Sequence, residues 1–350
     1  MRRMFLKIVS FILFHFRALG LINRFVNRYE PKKNGENQFI LPFVRKREFR
    51  NVQILVYHRV NDDGDPFFPA TPIGVFAEQM EYLASNFNIC ALEDAVERMK
   101  RKDIPDNTVV VTFDDGYADN YLYAFPILKK LSIPATIFLS TGAIGTGKRL
   151  WHDRVFSAFR ETKMAFFEGF GEVSKRYRLE TKAEKLSAQK EVLTFLRTRN
   201  NEDLPYWIDI LEEKLAVKDR TETPGIMLDW NEIRLMQQDG ICFGSHTVTH
   251  PVLSKLSCDK LREEICESKQ TLETELRVSI KPFAYPFGTN REFNDHTKSA
   301  LREAGYICGV TTIFGANGKD QDLFELRRGN PWEEDAASFA LKLNWYKFIS

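Results

Sequence analysis

Val109-Val110-Val111-Thr112-Phe113-Asp114-Asp115-Gly116-Tyr117 is a β-branched run that ends in two adjacent carboxylates and a glycine turn. β-Branched residues fit extended backbone, so 109–113 reads as a buried strand. Outward from it, strand-like and helix-like stretches alternate. On the N-terminal side, Gln53-Ile54-Leu55-Val56-Tyr57-His58 is another apolar run, and Phe76, Met80, Leu83 and Ala84 recur at helical spacing over 71–87. On the C-terminal side, Asp119 is placed to cap a helix through Tyr123, Ile127 and Leu131 that stops before Pro134, and 135–139 is a strand. A long helical stretch follows over 151–217, with Leu186, Val192, Leu193, Leu196, Ile208, Leu211 and Leu215 as its apolar positions. The alternation then resumes. Strands are predicted over 241–244, 280–285, 306–311 and 323–326, and helices over 229–236 (capped by Asp229 or Asn231), 259–276, 295–304 and 331–349. Apolar strands separated by helices pair in parallel, and about seven of them fit a closed or nearly closed α/β barrel.

In barrels of this kind the chemistry lies at the C-terminal ends of the strands. Ser245-His246-Thr247-Val248-Thr249-His250, at the end of the strand predicted over 241–244, places two imidazoles four apart. With Asp115 they supply three ligands for a divalent metal and leave a coordination position open. Nitrogen and carboxylate ligands suit Zn2+, and Co2+, Ni2+, Mn2+ and Fe2+ are also compatible. Asp114 is then a spare carboxylate that can take a proton from metal-bound water. By itself Asp-Asp-Gly would read as a solvated turn, and the histidine pair shifts the reading to metal-assisted hydrolysis.

Thr112-Phe113-Asp114-Asp115-Gly116 and His246-x-x-x-His250 resemble the first two motifs of the polysaccharide deacetylases, the NodB-homology or carbohydrate esterase 4 family. The resemblance covers roughly residues 50–330. It implies a distorted (β/α)7 barrel, here with a helical insertion at 151–217. It also implies Asp114 as catalytic base and Asp115, His246 and His250 as ligands, most often for zinc. Phe283-Ala284-Tyr285-Pro286-Phe287-Gly288 resembles the third motif, with the backbone N–H of Phe287 as donor to an oxyanion.

The chain departs from the family pattern twice. Ala284 stands where an arginine usually orients the base, so Asp114 must be positioned otherwise. Leu326-Arg327-Arg328-Gly329 stands where a histidine usually protonates the leaving amine. This variant resembles the branch of poly-N-acetylglucosamine and exopolysaccharide-cluster deacetylases. His58 ends the first strand in a feature of that branch and is the catalytic candidate for the proton donor. A structural histidine at the barrel mouth competes with that role, and His152 and His296 are the other candidates. The implied activity is removal of N-acetyl groups from sugars of a polysaccharide or lipid-linked glycan. The two departures motivate a second reading, a glycan-binding or scaffolding pseudoenzyme on the same barrel. A third is hydrolysis of another amide or ester in a small substrate.

Bulk properties set the outer bounds. Of 350 residues, 43% are hydrophobic and 13% aromatic, ample for a buried core. The formal charge of +2 argues against a nucleic-acid partner. The five cysteines are odd in number and lack Cys-x-x-Cys spacing, which points to free thiols in a reducing compartment. Cys242 and Cys258 flank the histidine motif and read as packing residues. Tyr285, Phe287, Trp230 and Phe314 are candidate sugar-facing aromatics, with core packing the simpler role for each. Residues 1–50 form a separate segment and linker ahead of a barrel at 51–350. Before Glu30 the segment is basic, and Phe5, Ile8, Val9, Ile12, Leu13 and Phe16 recur at helical spacing. Its longest clean apolar stretch, 8–14, is far short of the roughly 20 residues a spanning helix needs. Residues 1–28 therefore read as a peripheral membrane contact, with a helix that packs on the domain as the alternative. The corresponding location is the cytoplasm, at the inner membrane face, with export left open. The insertion reads as a cover for barrel surface rather than as a groove wall.

Overall fold

The computed structural model describes residues 50–171, 173–217 and 225–346. The amphipathic segment expected over 1–28 lies outside these residues. Seven parallel strands form the main sheet: β1 (Val52–Tyr57), β2 (Asn88–Ile89), β3 (Thr108–Phe113), β4 (Ala135–Leu139), β7 (Cys242–Ser245), β8 (Pro282–Ala284) and β9 (Cys308–Val310). They run in the order β1-β3-β4-β7-β8-β9, with β2 paired to the first two residues of β3. β1 and β3 pair in register over six residues, from Val52 opposite Thr108 to Tyr57 opposite Phe113.

β1, β3 and β4 are buried at every position because both of their faces are covered. The period of two sends Val109, Val111 and Phe113 into one apolar cluster and Val110 into another. The first cluster joins the strands to α1 (Ile73–Asn86), through Phe76, Met80 and Leu83. The second holds Val52, Ile54, Phe138, Val310 and Leu326 against α2 (Leu92–Arg101). After β9 the chain returns to β1. Leu326 bridges Val310 and Gly329 bridges Leu55, so the pairing passes from the last strand back to the first. The strand expected over 323–326 survives only as these single-residue bridges. Pro331 lacks an N–H and cannot extend them.

Three further expectations are corrected. Asp119 caps no helix. Its carboxylate instead accepts from Arg59 Nε and Asn61 Nδ2, both at 2.8 Å, and a π-helical turn (Asn120–Ala124) leads into α3 (Phe125–Lys130). The predicted insertion is only partly helical. Between α4 (Trp151–Glu161) and α5 (Lys182–Leu196) it carries an antiparallel hairpin of β5 (Phe166–Phe170) and β6 (Val173–Arg178). Phe167 stacks on Tyr177 at 4.6 Å there, a cross-strand pairing that helical periodicity cannot reveal. With α6 (Leu204–Lys214) these elements build a separate apolar core around Phe159, Phe170, Leu196 and Leu211. Finally, Cys258 is exposed rather than packed.

The later helices follow the sequence closely. α7 (Trp230–Gln238) starts at an Asp229 capping box closed by Glu232. α8 (Cys258–Leu276), α9 (Asp295–Glu303) and α10 (Ala336–Tyr346) follow. Among the described residues no helix is long and apolar enough to cross a membrane.

Candidate active site

β3 keeps its ladder to the last residue, and Asp114 N still donates to Tyr57 O at 3.0 Å. The chain then turns through two left-handed residues, Asp115 (φ 75°) and Gly116 (φ 89°). A Cβ on Gly116 would lie 2.7 Å from Leu139 Cδ2, so close packing as well as φ requires glycine here. This turn carries both carboxylates inward, where Asp114 is 2% and Asp115 3% exposed.

β7 delivers the histidines beside them. His246 Nδ1 lies 2.8 Å from Ala284 O, which can only accept. Nδ1 therefore carries a proton, and in the neutral ring Nε2 keeps its lone pair; against the effect of burial, Asp115 and Asp114 raise the pKa of this imidazole. His246 Nε2 and His250 Nε2 each lie 3.4 Å from Asp115 Oδ1. One ligand atom from each of Asp115, His246 and His250 falls within 4.8 Å of the others. Asp115 Oδ1 is buried and accepts no hydrogen bond, so a cation fits the chemistry left there.

The loop between the histidines is held by Glu264 of α8. Its carboxylate accepts from Val248 N (2.7 Å), Thr249 N (2.9 Å) and Thr249 Oγ1. Thr247 Oγ1 accepts from His250 N at 3.0 Å. Nine non-glycine residues have positive φ among those described, and four of them are Asp115, Thr247, His250 and Phe287. Backbone strain is thus concentrated where the functional side chains converge.

The charges are set by partners. Burial pushes the Asp115 carboxyl up, but the facing imidazoles of His246 and His250 outweigh it and hold the pKa below the usual carboxylate range. Burial and the neighbouring His152 hold His250 well below the ordinary imidazole value, so at pH 7 its ring is neutral and has a lone pair to offer. Asp114 is also lowered, because Arg328 overcomes the cost of burial.

Arg328 is the residue the sequence reading passed over. It is 1% exposed, and its guanidinium grips Asp114 at both oxygens, Nη1 to Oδ1 at 2.7 Å and Nη2 to Oδ2 at 2.6 Å. Nε donates to Thr311 O at 2.7 Å. The arginine missing at Ala284 is thus replaced from the segment that closes the barrel. The available signal was physical: a buried carboxylate needs a cationic partner, and Arg328 stood in the motif region noted only for lacking histidine.

Phe287 (φ 60°) sits at the mouth, and its N–H has no acceptor among the described residues. Gly288 allows this turn to approach Thr312 N, which a Cβ would meet at 2.7 Å. The Phe287 ring lies 4.8 Å from the His250 ring and 5.8 Å from Trp151. Trp151 Nε1 donates to His250 O at 3.0 Å. The insertion therefore reaches the site and forms part of its rim, beyond the covering role expected of it.

His58 is half-buried at the end of β1, and its imidazole makes no hydrogen bond with a described residue. Asn120 Nδ2 fixes its backbone by donating to His58 O at 2.8 Å. His152 is buried, 4.7 Å from the His250 ring, and lies 3.2 Å from the Tyr117 hydroxyl. Burial lowers its pKa to about 4. His296 is exposed on α9. Tyr285 is a core residue stacked on Phe293, and Cys242 is half-buried outside the ligand cluster.

Residues 101–309 match the family model described as polysaccharide deacetylase. YxkH of Bacillus subtilis (strain 168), provisionally named a polysaccharide deacetylase, is 24% identical over 288 residues, covering 82% of this chain and 73% of that protein. The poly-beta-1,6-N-acetyl-D-glucosamine N-deacetylase of Staphylococcus aureus (strain MSSA476) is 28% identical over 142 residues, 40% of this chain and 42% of that one. Among solved structures, the Streptococcus pyogenes deacetylase PplD in complex with acetate superposes with a TM-score of 0.55 at 21% identity, covering 80% of this chain and 92% of that one. IcaB from Ammonifex degensii gives 0.54 at 19%, covering 84% and 97%. Both share the curled parallel barrel.

Proposed function

The chain belongs to the polysaccharide deacetylase family, and from that premise we propose that it removes N-acetyl groups from an N-acetylated glycan by metal-assisted hydrolysis. The observation that carries the proposal is the convergence of Asp115, His246 and His250 beside a second buried carboxylate, Asp114, that is held by Arg328.

Asp115, His246 and His250 would hold the divalent cation, with Zn2+ the first choice for two imidazoles and a carboxylate. When bound, the cation supplies an acidified water and electrostatic stabilisation of a carbonyl oxygen. Asp114 accepts the proton from the attacking water, and the two guanidinium hydrogen bonds keep it ionised and aimed. The Phe287 N–H donates to the oxygen on which negative charge builds. His58, half-exposed and with no hydrogen-bond partner for its ring among the described residues, donates a proton to the departing amine. His152 is neutral, buried and engaged by Tyr117, which suits it less.

The substrate is a polysaccharide or a lipid-linked glycan. Residues 1–28 would tether the barrel to the inner membrane face, a reading that rests on their basic amphipathic pattern. The Arg328–Asp114 pair weighs against the pseudoenzyme reading, because it gives Asp114 the cationic partner that Ala284 does not supply. The test is acetate release from N-acetylglucosamine oligomers before and after chelation. Release should stop on chelation and return with added zinc or cobalt. An undiminished rate in chelator would refute metal assistance.

A further inference from the structure

Arg197 directly follows α5 in the insertion and lays its guanidinium over the Phe287 ring, 4.2 Å from the centroid. That ring is the one that touches His250, so a cation stands two contacts from the ligand cluster. The side chain is exposed, and it makes no hydrogen bond or ion pair with a described residue. The nearby carboxylate that it feels, Glu292, is already engaged by Thr289 N at 3.0 Å and by Thr289 Oγ1.

Several other cations of the insertion are paired. Arg154 binds Asp209 and Glu212, Arg160 binds Asp65, and Lys175 binds Glu191. Arg197 is the contrast, and it is the one placed at the mouth. Asn201 Nδ2 donates to Thr249 Oγ1 at 3.4 Å, which ties this rim to the metal loop. Lys255 adds an exposed positive charge close enough to Arg199 for the two to repel.

Stacking on an aromatic engages the face of a guanidinium and leaves its in-plane N–H donors free. Those donors match the two oxygens of a carboxylate or phosphate. We propose that the barrel mouth selects a negatively charged N-acetylated glycan, with Arg197 donating to a carboxylate or phosphate on the unit beside the sugar being deacetylated. This inference rests on the deacetylase reading for its reaction, though not for its charge preference.

The test compares three oligosaccharides of equal length. One is a neutral N-acetylglucosamine oligomer, one alternates N-acetylglucosamine with glucuronic acid, and one is the neutral oligomer ending in a phosphate. Acetate release and calorimetric binding are both measured on the zinc-loaded full chain, on Arg197→Gln and on Arg197→Lys. The wild type should favour at least one anionic arm by about tenfold in kcat/KM, through KM, as expected of a charge-assisted pair. Which arm wins identifies the source of the charge. Arg197→Gln should bring the ratio close to one, and Arg197→Lys should keep part of it. Equal or better use of the neutral oligomer by the wild type would overturn the inference. So would an Arg197→Gln variant that weakens all three arms alike, the mark of a residue that only docks Phe287. Absence of acetate from every arm, with the binding preference intact, would sink the deacetylase reading and uphold the charge preference.

Discussion

The two sides of the barrel are built differently. β1, β3 and β4 pair in continuous register, whereas the return from β9 to β1 rests on single-residue bridges at Leu326 and Gly329. The well-paired side delivers Asp114 and Asp115 on a turn that packing against Leu139 makes narrow. The seam delivers Arg328, the group that lets Asp114 stay ionised in the interior. Regular pairing thus places the reactive groups, and an irregular closure supplies the charge that makes one of them tolerable. The ion pair across the seam serves both stability and chemistry.

The most severe test of this contrast is His246→Ala, at the end of β7, which continues the regular pairing from β4 over four residues. Acetate release should fall well beyond the roughly 10–100-fold typical of groups that merely support a ligand, and zinc binding should be lost with it. A variant that releases acetate within tenfold of wild type would break the comparison.

The seam comes next. Arg328→Met leaves Asp114 buried without its partner and should cost about 3–5 kcal/mol in urea unfolding. Adding Asp114→Asn should restore much of that stability while activity stays absent. If the double variant were no more stable than the single one, the ion pair would not be what the seam depends on.

Glu264→Gln separates loop support from ligation. It weakens the hold on Val248 N and Thr249 N without touching a ligand atom. Zinc affinity should drop about 10–100-fold with little change in unfolding.

The smallest expected effect is a pH dependence in the metal-free protein. Burial and the Asp115 charge raise the Asp153 carboxyl from the ordinary aspartate range to about 7. As pH rises through this window the unfolded chain loses that proton first, so the folded state holds more protons and stability declines. Asp153→Asn should remove the decline. The variant should therefore gain thermal stability relative to wild type at pH 8 but not at pH 4, as read by metal-free melting curves at the two values. Equal differences at both would contradict the assignment.

What the sequence made legible follows from range. β3, β4 and β7 were readable within a residue or so because β-branched and apolar runs mark buried strands locally. The pair His246 and His250 was readable from spacing alone. β2 was missed because two residues carry no period, and α2 was missed with it. Asp119 looked like a cap, but it serves Arg59 and Asn61, some 60 and 58 residues away. Arg328 meets Asp114 across 214 residues, and no local pattern encodes that meeting. Glu264 sits on a strongly charged helix, where one inward carboxylate looks like its solvated neighbours.

In the proposed reaction Asp114 is the base beside a cation that it does not bind. Acetate release by Asp114→Asn, loaded with one zinc per chain, tests this most directly. The prediction is a variant that holds zinc as wild type does and releases no acetate above background. Release near the wild-type rate with zinc in place would contradict it.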